Sequence, residues 1–100
     1  MQNPYSFNSG VYALELEDGC YYVGYSEDLD ARLQKHRNCV TAWTKKHPPV
    51  AVDDVFPAKF NIKQLEKEVT LQYMKEHGWK KVRGAAWTQV ERDTKPVPLR

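Results

Sequence analysis

Residues 10–25, GVYALELEDGCYYVGY, decide the fold. Gly10 to Glu17 is rich in strand formers, Asp18-Gly19 is a turn signal, and Cys20 to Tyr25 is a second run dense in aromatics. Two such runs around a short polar turn read as a β-hairpin. In a regular antiparallel ladder the numbers of paired residues have a constant sum, and Tyr12 and Tyr22 share a face only if that sum is even. A two-residue Asp18-Gly19 turn pairs Glu17 with Cys20, an odd sum that sends the tyrosines to opposite faces. A three-residue loop, Glu17-Asp18-Gly19, with Gly19 left-handed as a G1 bulge, pairs Leu16 with Cys20 instead. Tyr12 then falls opposite Gly24, and Tyr12, Leu14, Leu16, Cys20, Tyr22 and Gly24 line one face. The three-residue loop is the prediction; a bulge-free two-residue turn would undermine any site shared by the two tyrosines.

Outward from the hairpin, Ser26 or Asp28 can cap a helix running to about Asn38, with Leu29 and Leu33 one turn apart on its inner face. Acids in its first turn and Lys35, His36 and Arg37 in its last suit the helix dipole. Residues 38–49 read as a polar loop or a short helical turn ended by Pro48-Pro49. Val50 to Phe56 is a third strand, broken by Pro57. Asn61, with Gln64 in capping-box position, starts a long helix to about His77. Its apolar stripe is Ile62, Leu65, Val69 and Tyr73, and Gly78 is its C-cap. Residues 79–90 hold Trp79, Gly84 and Trp87 and end in at most a short strand. The order ββαβα argues for a small α+β domain, an antiparallel three-stranded sheet flanked by helices. Residues 1–9 are an irregular lead-in, 10–90 the domain, and 91–100 a flexible tail.

One hundred residues leave room for one domain, not for a catalytic domain beside a separate recognition domain. Hydrophobic residues at 41% and charged residues at 28% exclude wholesale disorder. No apolar run approaches the length that spans a bilayer, and the start of the chain lacks the basic-then-apolar pattern of a signal peptide. Cys20 and Cys39 are too few for a disulfide scaffold, which favours a reducing, intracellular setting. The net charge of +2 hides a split. Residues 1–31 hold six acids (Glu15, Glu17, Asp18, Glu27, Asp28, Asp30) and no Lys or Arg, while residues 32–100 hold all fifteen basic residues and seven acids. A balance of −6 followed by +8 points to one positive face, and positive faces attract polyanions. The bland alternative is that Lys and Arg only solvate helices.

Gly10-Val11-Tyr12 and Tyr22-Val23-Gly24 resemble the two name-giving tripeptides of the GIY-YIG endonuclease family, with Val for Ile in both. Arg32 stands eight residues after Gly24, where the family places an arginine on its first helix. His36 follows one turn later, as in many members. AWTKKHP, residues 42–48, and LEKEVTLQYMKEHGWKKVRG, residues 65–84, resemble segments of one cellular and viral branch. The resemblance covers residues 10–90, with its motifs in the family's order. It implies a metal-dependent endonuclease that hydrolyses DNA phosphodiester bonds with one Mg²⁺ or Mn²⁺ ion. It implies that Tyr12, with His36, deprotonates the attacking water, that Arg32 and Tyr22 orient and neutralise the scissile phosphate, and that Glu66 holds the metal. Many members also carry an asparagine after the glutamate helix. This chain has none beyond Asn61, and Lys81 stands where the matching branch has it.

The residues themselves bear on each role. Glycine at 24 leaves the space opposite Tyr12 to a phosphate or to the tyrosine ring. Arg32 and His36 share a helix face, and a guanidinium can hold a phosphate through two parallel hydrogen bonds. The plain alternative for Arg32 is an ion pair with Asp28, and for His36 a helix-end cation. At about 100° per residue, Glu66 lies about 60° to one side of the stripe centred on Val69 and Glu68 about 100° to the other. A carboxylate at the stripe's edge can point into a cleft, so Glu66 is the expected metal ligand and Glu68 the second choice. A tyrosine ionising near ~10 is a poor base at neutral pH unless cations lower it, and Arg32, the metal and the basic half of the chain are the candidates.

Gly24, Lys35, Arg37, Trp43, Lys45, Lys46, Lys80, Lys81 and Arg83 are candidate nucleic-acid contacts. Of Trp43, Trp79 and Trp87, one is expected to reach nucleic acid and the others to pack. A zinc site from Cys20, His36, Cys39 and His47 matches no structural zinc spacing. Leu71 and Met74 fall off the main helix stripe, which leaves a second buried face or a dimer contact. The acids of the first half are expected to face away from the DNA. Two other functions stay open: a non-catalytic nucleic-acid-binding module, and a nuclease subunit that cuts only with a partner, or a second copy, supplying recognition.

Overall fold

β1 (Gly10–Leu16) and β2 (Tyr21–Ser26) pair antiparallel, with Tyr12 opposite Gly24 and Leu14 opposite Tyr22. These coordinates are a computed structural model, which describes residues 9–36, 41–89 and 95–99. The hairpin loop is Glu17-Asp18-Gly19, and the Leu16 amide donates to the Cys20 carbonyl at 2.8 Å, so the sum is even. Two left-handed residues make the reversal, Gly19 (φ 70°) and Asp18 (φ 64°). Only Gly19 was expected in that conformation. Aspartate is among the residues that tolerate this conformation, and here its carboxylate meets His47 Nδ1 at 3.1 Å.

Further elements follow in the order α1 (Leu29–His36), α2 (Ala42–Lys46), β3 (Pro49–Pro57), α3 (Ile62–His77) and β4 (Val82–Gly84). The sheet order is β3-β1-β2-β4. β3 runs antiparallel to β1, and β4 runs parallel to β2 over Tyr21–Val23. The sheet is therefore four-stranded and mixed, where the sequence pattern suggested three antiparallel strands. Three residues are too few to display a period, so β4 is visible only through its pairing.

Helices cover both faces. Leu29 of α1 and Trp43 of α2 are buried against Tyr12, Leu14, Leu16 and Cys20. On the other face, Val69, Tyr73 and Met74 of α3 pack on Val11, Ala13, Val23 and Val82. Covered on both sides, β1 buries Val11, Tyr12, Ala13 and Leu14 in succession, which is why it reads as a nearly continuous apolar run rather than an alternating one. Met74 is buried and Leu71 packs against the same cluster, so α3 does have a second buried face.

Asp28 Oδ1 accepts from the Ala31 amide at 3.2 Å, and Ser26 Oγ accepts from the Asp28 amide at 2.9 Å. Asp28 thus caps α1 and Ser26 holds the cap. The capping box expected at α3 does not form. Asn61 is itself left-handed (φ 55°) with no side-chain cap bond, and Gln64 donates to Glu68 instead, at 3.2 Å. The tail expected to be flexible is partly docked: Pro96 is fully buried, and Leu99 packs against the core. Residues 1–8 of the lead-in, residues 90–94 and Arg100 lie outside the described residues. No helix among those described is long and apolar enough to cross a membrane.

Candidate active site

β4 ends at Gly84, so among the described residues Gly24, Tyr25 and Ser26 have no strand neighbour on that side of β2. The chain then turns back through Ala85, left-handed at φ 50°, and Gly84 and Trp87 exchange backbone bonds of 2.9 and 2.8 Å. A Cβ at Gly84 would stand 2.8 Å from Thr70 Oγ1, so glycine lets α3 lie close to this edge. At the resulting gap, side chains from opposite faces of the sheet come within electrostatic reach of one another.

From one face comes Tyr12, fully buried. A Cβ on residue 24 would overlap the Tyr12 hydroxyl and lie 2.6 Å from its Cζ. The tyrosine ring, of the two occupants the sequence left open, fills the space that glycine provides. The Tyr22 ring is 6.3 Å away, tilted by 44°. Arg32, half-buried on α1, hydrogen-bonds the Tyr12 side chain, and its charge acts on Tyr22 too.

From the other face comes Glu66. Only 9% of it is exposed, whereas Glu68 is exposed and accepts its bond from Gln64. Among the described residues, no hydrogen bond or ion pair engages the Glu66 carboxylate. Burial pushes its pKa up, and Lys63, three residues earlier, pulls the other way. The Glu66 charge is felt at both tyrosines. Tyr12 is pushed well above the usual tyrosine range, by burial first and then by Tyr22, with Arg32 opposing through charge and hydrogen bond. Tyr22 is pushed up by burial and by Glu66, again against Arg32. Arg32 acts on Tyr12 in the expected direction, but desolvation outweighs it.

A buried carboxylate that forms no ion pair among the described residues, within electrostatic reach of two phenols, suits a hard divalent cation, which takes oxygen ligands and retains several waters. No group of three His, Cys, Asp or Glu able to hold a metal occurs among the described residues. Among the described residues, Glu66 is the buried carboxylate at this gap that could hold such a cation.

A family model described as the GIY-YIG catalytic domain matches residues 8–89. The chain belongs to the GIY-YIG family. It is 37% identical over 65 residues to a UPF0213 protein of Halalkalibacterium halodurans, spanning 62% of this chain and 69% of that protein. A UPF0213 protein of Bacillus cereus is 30% identical over 73 residues, 63% of this chain and 76% of its own length. One of Staphylococcus aureus is 29% identical over 76 residues, 66% and 93% respectively. No solved structure matches significantly. In GIY-YIG terms, the two tripeptides are here the facing ends of β1 and β2, and the tyrosines of both point to the face that α1 covers.

Other candidate residues of this GIY-YIG domain divide by position. Trp43 and Arg83 are corrected out of the nucleic-acid interface, being 4% and 2% exposed. The Trp43 Nε1 donates to the Tyr21 carbonyl at 2.9 Å, and the Arg83 guanidinium lies with Cζ 4.5 Å from the Trp43 ring centroid. Arg83 donates to the carbonyls of Val82 at 2.8 Å, Trp79 at 3.1 Å, Lys80 at 3.4 Å and, more tightly, Gln89. Lys45, Lys46, Lys80 and Lys81 are exposed. Lys81 Nζ donates to the Asp18 carbonyl at 3.2 Å, which puts it at the hairpin loop, the end of β2 away from Gly24. It does not enter the gap in place of the family asparagine. Arg37, Cys39 and the side chains of Lys35 and His36 lie outside the described residues.

Two depressions flank the gap. One, of about 590 Å³, holds Arg32 together with Glu27 and Asp28, so these two acids do not face away from the site as expected. The other, of about 460 Å³, holds Glu66 with Lys63, Lys67 and Trp87. Of the three tryptophans, Trp87 is thus the one beside the Glu66 carboxylate. Lys63, Lys67 and Tyr25 were missed in the sequence. The signal for the lysines was present: they lie together on one side of Glu66 on the helical wheel, at about 60° and 100° from it.

Proposed function

We propose that this GIY-YIG protein is a metal-dependent endonuclease that hydrolyses DNA phosphodiester bonds, with Glu66 holding Mg²⁺ or Mn²⁺. The observation that carries this reading is the buried Glu66 carboxylate, engaged by no hydrogen bond or ion pair among the described residues, within electrostatic reach of Tyr12, which is itself bonded to Arg32. When bound, the divalent cation would supply the charge that stabilises the scissile phosphate and the departing oxygen. Arg32 holds the phosphate through its planar fork, and its bond to Tyr12 fixes where that fork points. Tyr22, kept protonated by its raised pKa, donates to a phosphate oxygen. Tyr12, with His36, takes the proton of the attacking water. Burial disfavours its phenolate and Arg32 favours it, so the reaction quickens towards alkaline pH. The two-cysteine composition suits an intracellular setting.

Nicking of a supercoiled plasmid by the purified chain, with and without Mg²⁺, tests this. Arg32→Ala and Glu66→Ala are each expected to lose at least about 10²-fold in rate. Unchanged cutting by either variant would sink the mechanism. Tight DNA binding with no metal-dependent cleavage of any substrate shape would favour a binding module. Cutting that appears only on adding cell extract would point to a subunit awaiting its partner.

A further inference from the structure

Resting on the nuclease reading, we infer that Tyr25 is a stacking platform for an unpaired nucleobase beside the cut, with Lys59 ahead of α3 and Lys63 and Lys67 on it holding the backbone, so that the substrate is single-stranded or frayed at the site. Three depressions, of about 590, 460 and 450 Å³, meet on Tyr25 and no other residue lines all of them. The first contains Arg32, the second Glu66, and the third Lys59 and Lys63. Tyr25 therefore stands between the residue proposed to hold the phosphate and the residue proposed to hold the metal.

Among the described residues its ring is uncommitted. Tyr12 and Tyr22 lie against each other, and Tyr21 stacks on His77 at 4.1 Å and neighbours Tyr73 at 5.5 Å. Tyr25 is 37% exposed, and among the described residues it makes no ring contact and its hydroxyl no hydrogen bond. It lies on the stretch of β2 where no strand follows beyond β4, so the space beside the ring is open.

Charge gives the path its direction. Arg32 is the cation of its depression among the described residues, beside Glu27 and Asp28, whereas Lys59, Lys63 and Lys67 outnumber Glu27 and Glu66 in the two depressions on the α3 side and attract phosphate there. A backbone that runs along the lysines and reaches Arg32 must cross Tyr25. In a duplex the base faces are already stacked, so a tyrosine on that path gains a partner only where a base is unpaired.

Binding is separated from cleavage by titrating the full chain in EDTA, by fluorescence anisotropy, with a fluorescein-labelled oligonucleotide as a single strand and as its duplex. Tyr25→Ala is expected to weaken single-strand binding about 5- to 100-fold and duplex binding less than about twofold. Tyr25→Phe keeps the π-face and is expected to bind within about twofold of wild type. Should the alanine variant lose its circular-dichroism signature of folding, Tyr25→Leu supplies apolar bulk without the ring and is expected to show the same selective loss. Lys63→Ala and Lys67→Ala should weaken both forms and lower the salt slope by about 0.7–0.9 each. A Tyr25→Ala variant that binds single strands as wild type does, or that weakens both forms equally, overturns the proposal. If that variant is unaffected while Arg32→Ala still abolishes nicking, the stacking idea alone falls. If the wild-type chain binds neither form, the nuclease reading falls with it.

Discussion

Tyr12 and Gly24 face each other across the central strand pair, and the tyrosine ring occupies the volume that any side chain at position 24 would need. The atoms a new Cβ would displace are the hydroxyl end of Tyr12 and, at 3.0 Å, Cε2 of Tyr22. Both belong to the proposed site. Gly24→Ala is therefore expected to cost about 1–3 kcal/mol by overpacking and to lower cleavage at least about tenfold through a displaced Tyr12. Urea unfolding with an unchanged slope would show the first effect. In a Tyr12→Ala background, itself destabilised by the lost core side chain, Gly24→Ala should cost much less than it does in the wild type, a non-additivity diagnostic of contact. A Gly24→Ala variant with the wild-type midpoint would mean that Tyr12 does not lie over residue 24.

Glu66 sets function against stability. Its pKa is raised by burial, so the folded chain holds that proton more tightly than the unfolded one. For such a carboxyl, stability is greater on the acid side and declines as pH rises through the carboxylate range. Glu66→Gln keeps the shape and removes the buried charge. It is expected to raise stability at pH 7 by roughly 0.5–2 kcal/mol and to abolish metal-dependent nicking and Mn²⁺ binding. Exposed Glu68, changed to Gln, should stay within about 0.5 kcal/mol of wild type and cut normally. Loss of activity in the Glu68 variant with retention in the Glu66 variant would reverse the assignment.

Why Glu66 was readable and other residues were not is a matter of which physics is local. The parity of the hairpin register needs only residues 10–25, and the angle between Glu66 and the Val69 stripe needs only one helix. Both are short-range geometry, and both match the structure. β4 exists because β2 offers it a parallel edge, a long-range fact that three residues cannot announce. Arg83 and Trp43 look like a nucleic-acid patch in sequence because each alone is a cation or an aromatic. Only the fold brings four carbonyls to one guanidinium and sets it over the indole. The helix starts after Asn61 as the sequence suggests, but the capping box fails for a related reason: Asn61 enters the helix left-handed and makes no side-chain cap bond. The ring of Tyr25 becomes conspicuous only once β4 is known to stop short of it.

The raised ionisation of Tyr12 makes a claim about pH. If its phenolate takes the proton of the attacking water, the nicking rate should climb about tenfold per unit between about pH 7 and 9.5, with no plateau in that interval, and Tyr12→Phe should remove the slope. A plateau beginning near neutrality in the wild type would exclude Tyr12 as the base. Stability moves the other way. Tyr12, Tyr22 and Tyr73 all hold their protons more tightly folded than unfolded. Their contribution is complete below about pH 10, where unfolded tyrosines begin to ionise, and is lost as pH rises further. Thermal melts should drop steeply above that point, and less so in Tyr12→Phe and Tyr73→Phe.

Arg83 separates a structural cation from a DNA-binding one. Its guanidinium serves the carbonyls of Trp79, Lys80, Val82 and Gln89 and lies over Trp43, almost wholly out of solvent. Arg83→Ala leaves those carbonyls without their donor and is expected to destabilise the fold by about 2–4 kcal/mol. Arg83→Lys should recover little of that, because an ammonium cannot fork to several acceptors or stack on the ring. The salt slope of DNA binding by the folded fraction should not change with either variant. Lys63→Ala should do the reverse, lowering the slope by about 0.7–0.9 with stability within about 0.5 kcal/mol of wild type. A chain that stays fully stable as Arg83→Ala and loses about one unit of salt slope would return Arg83 to the interface.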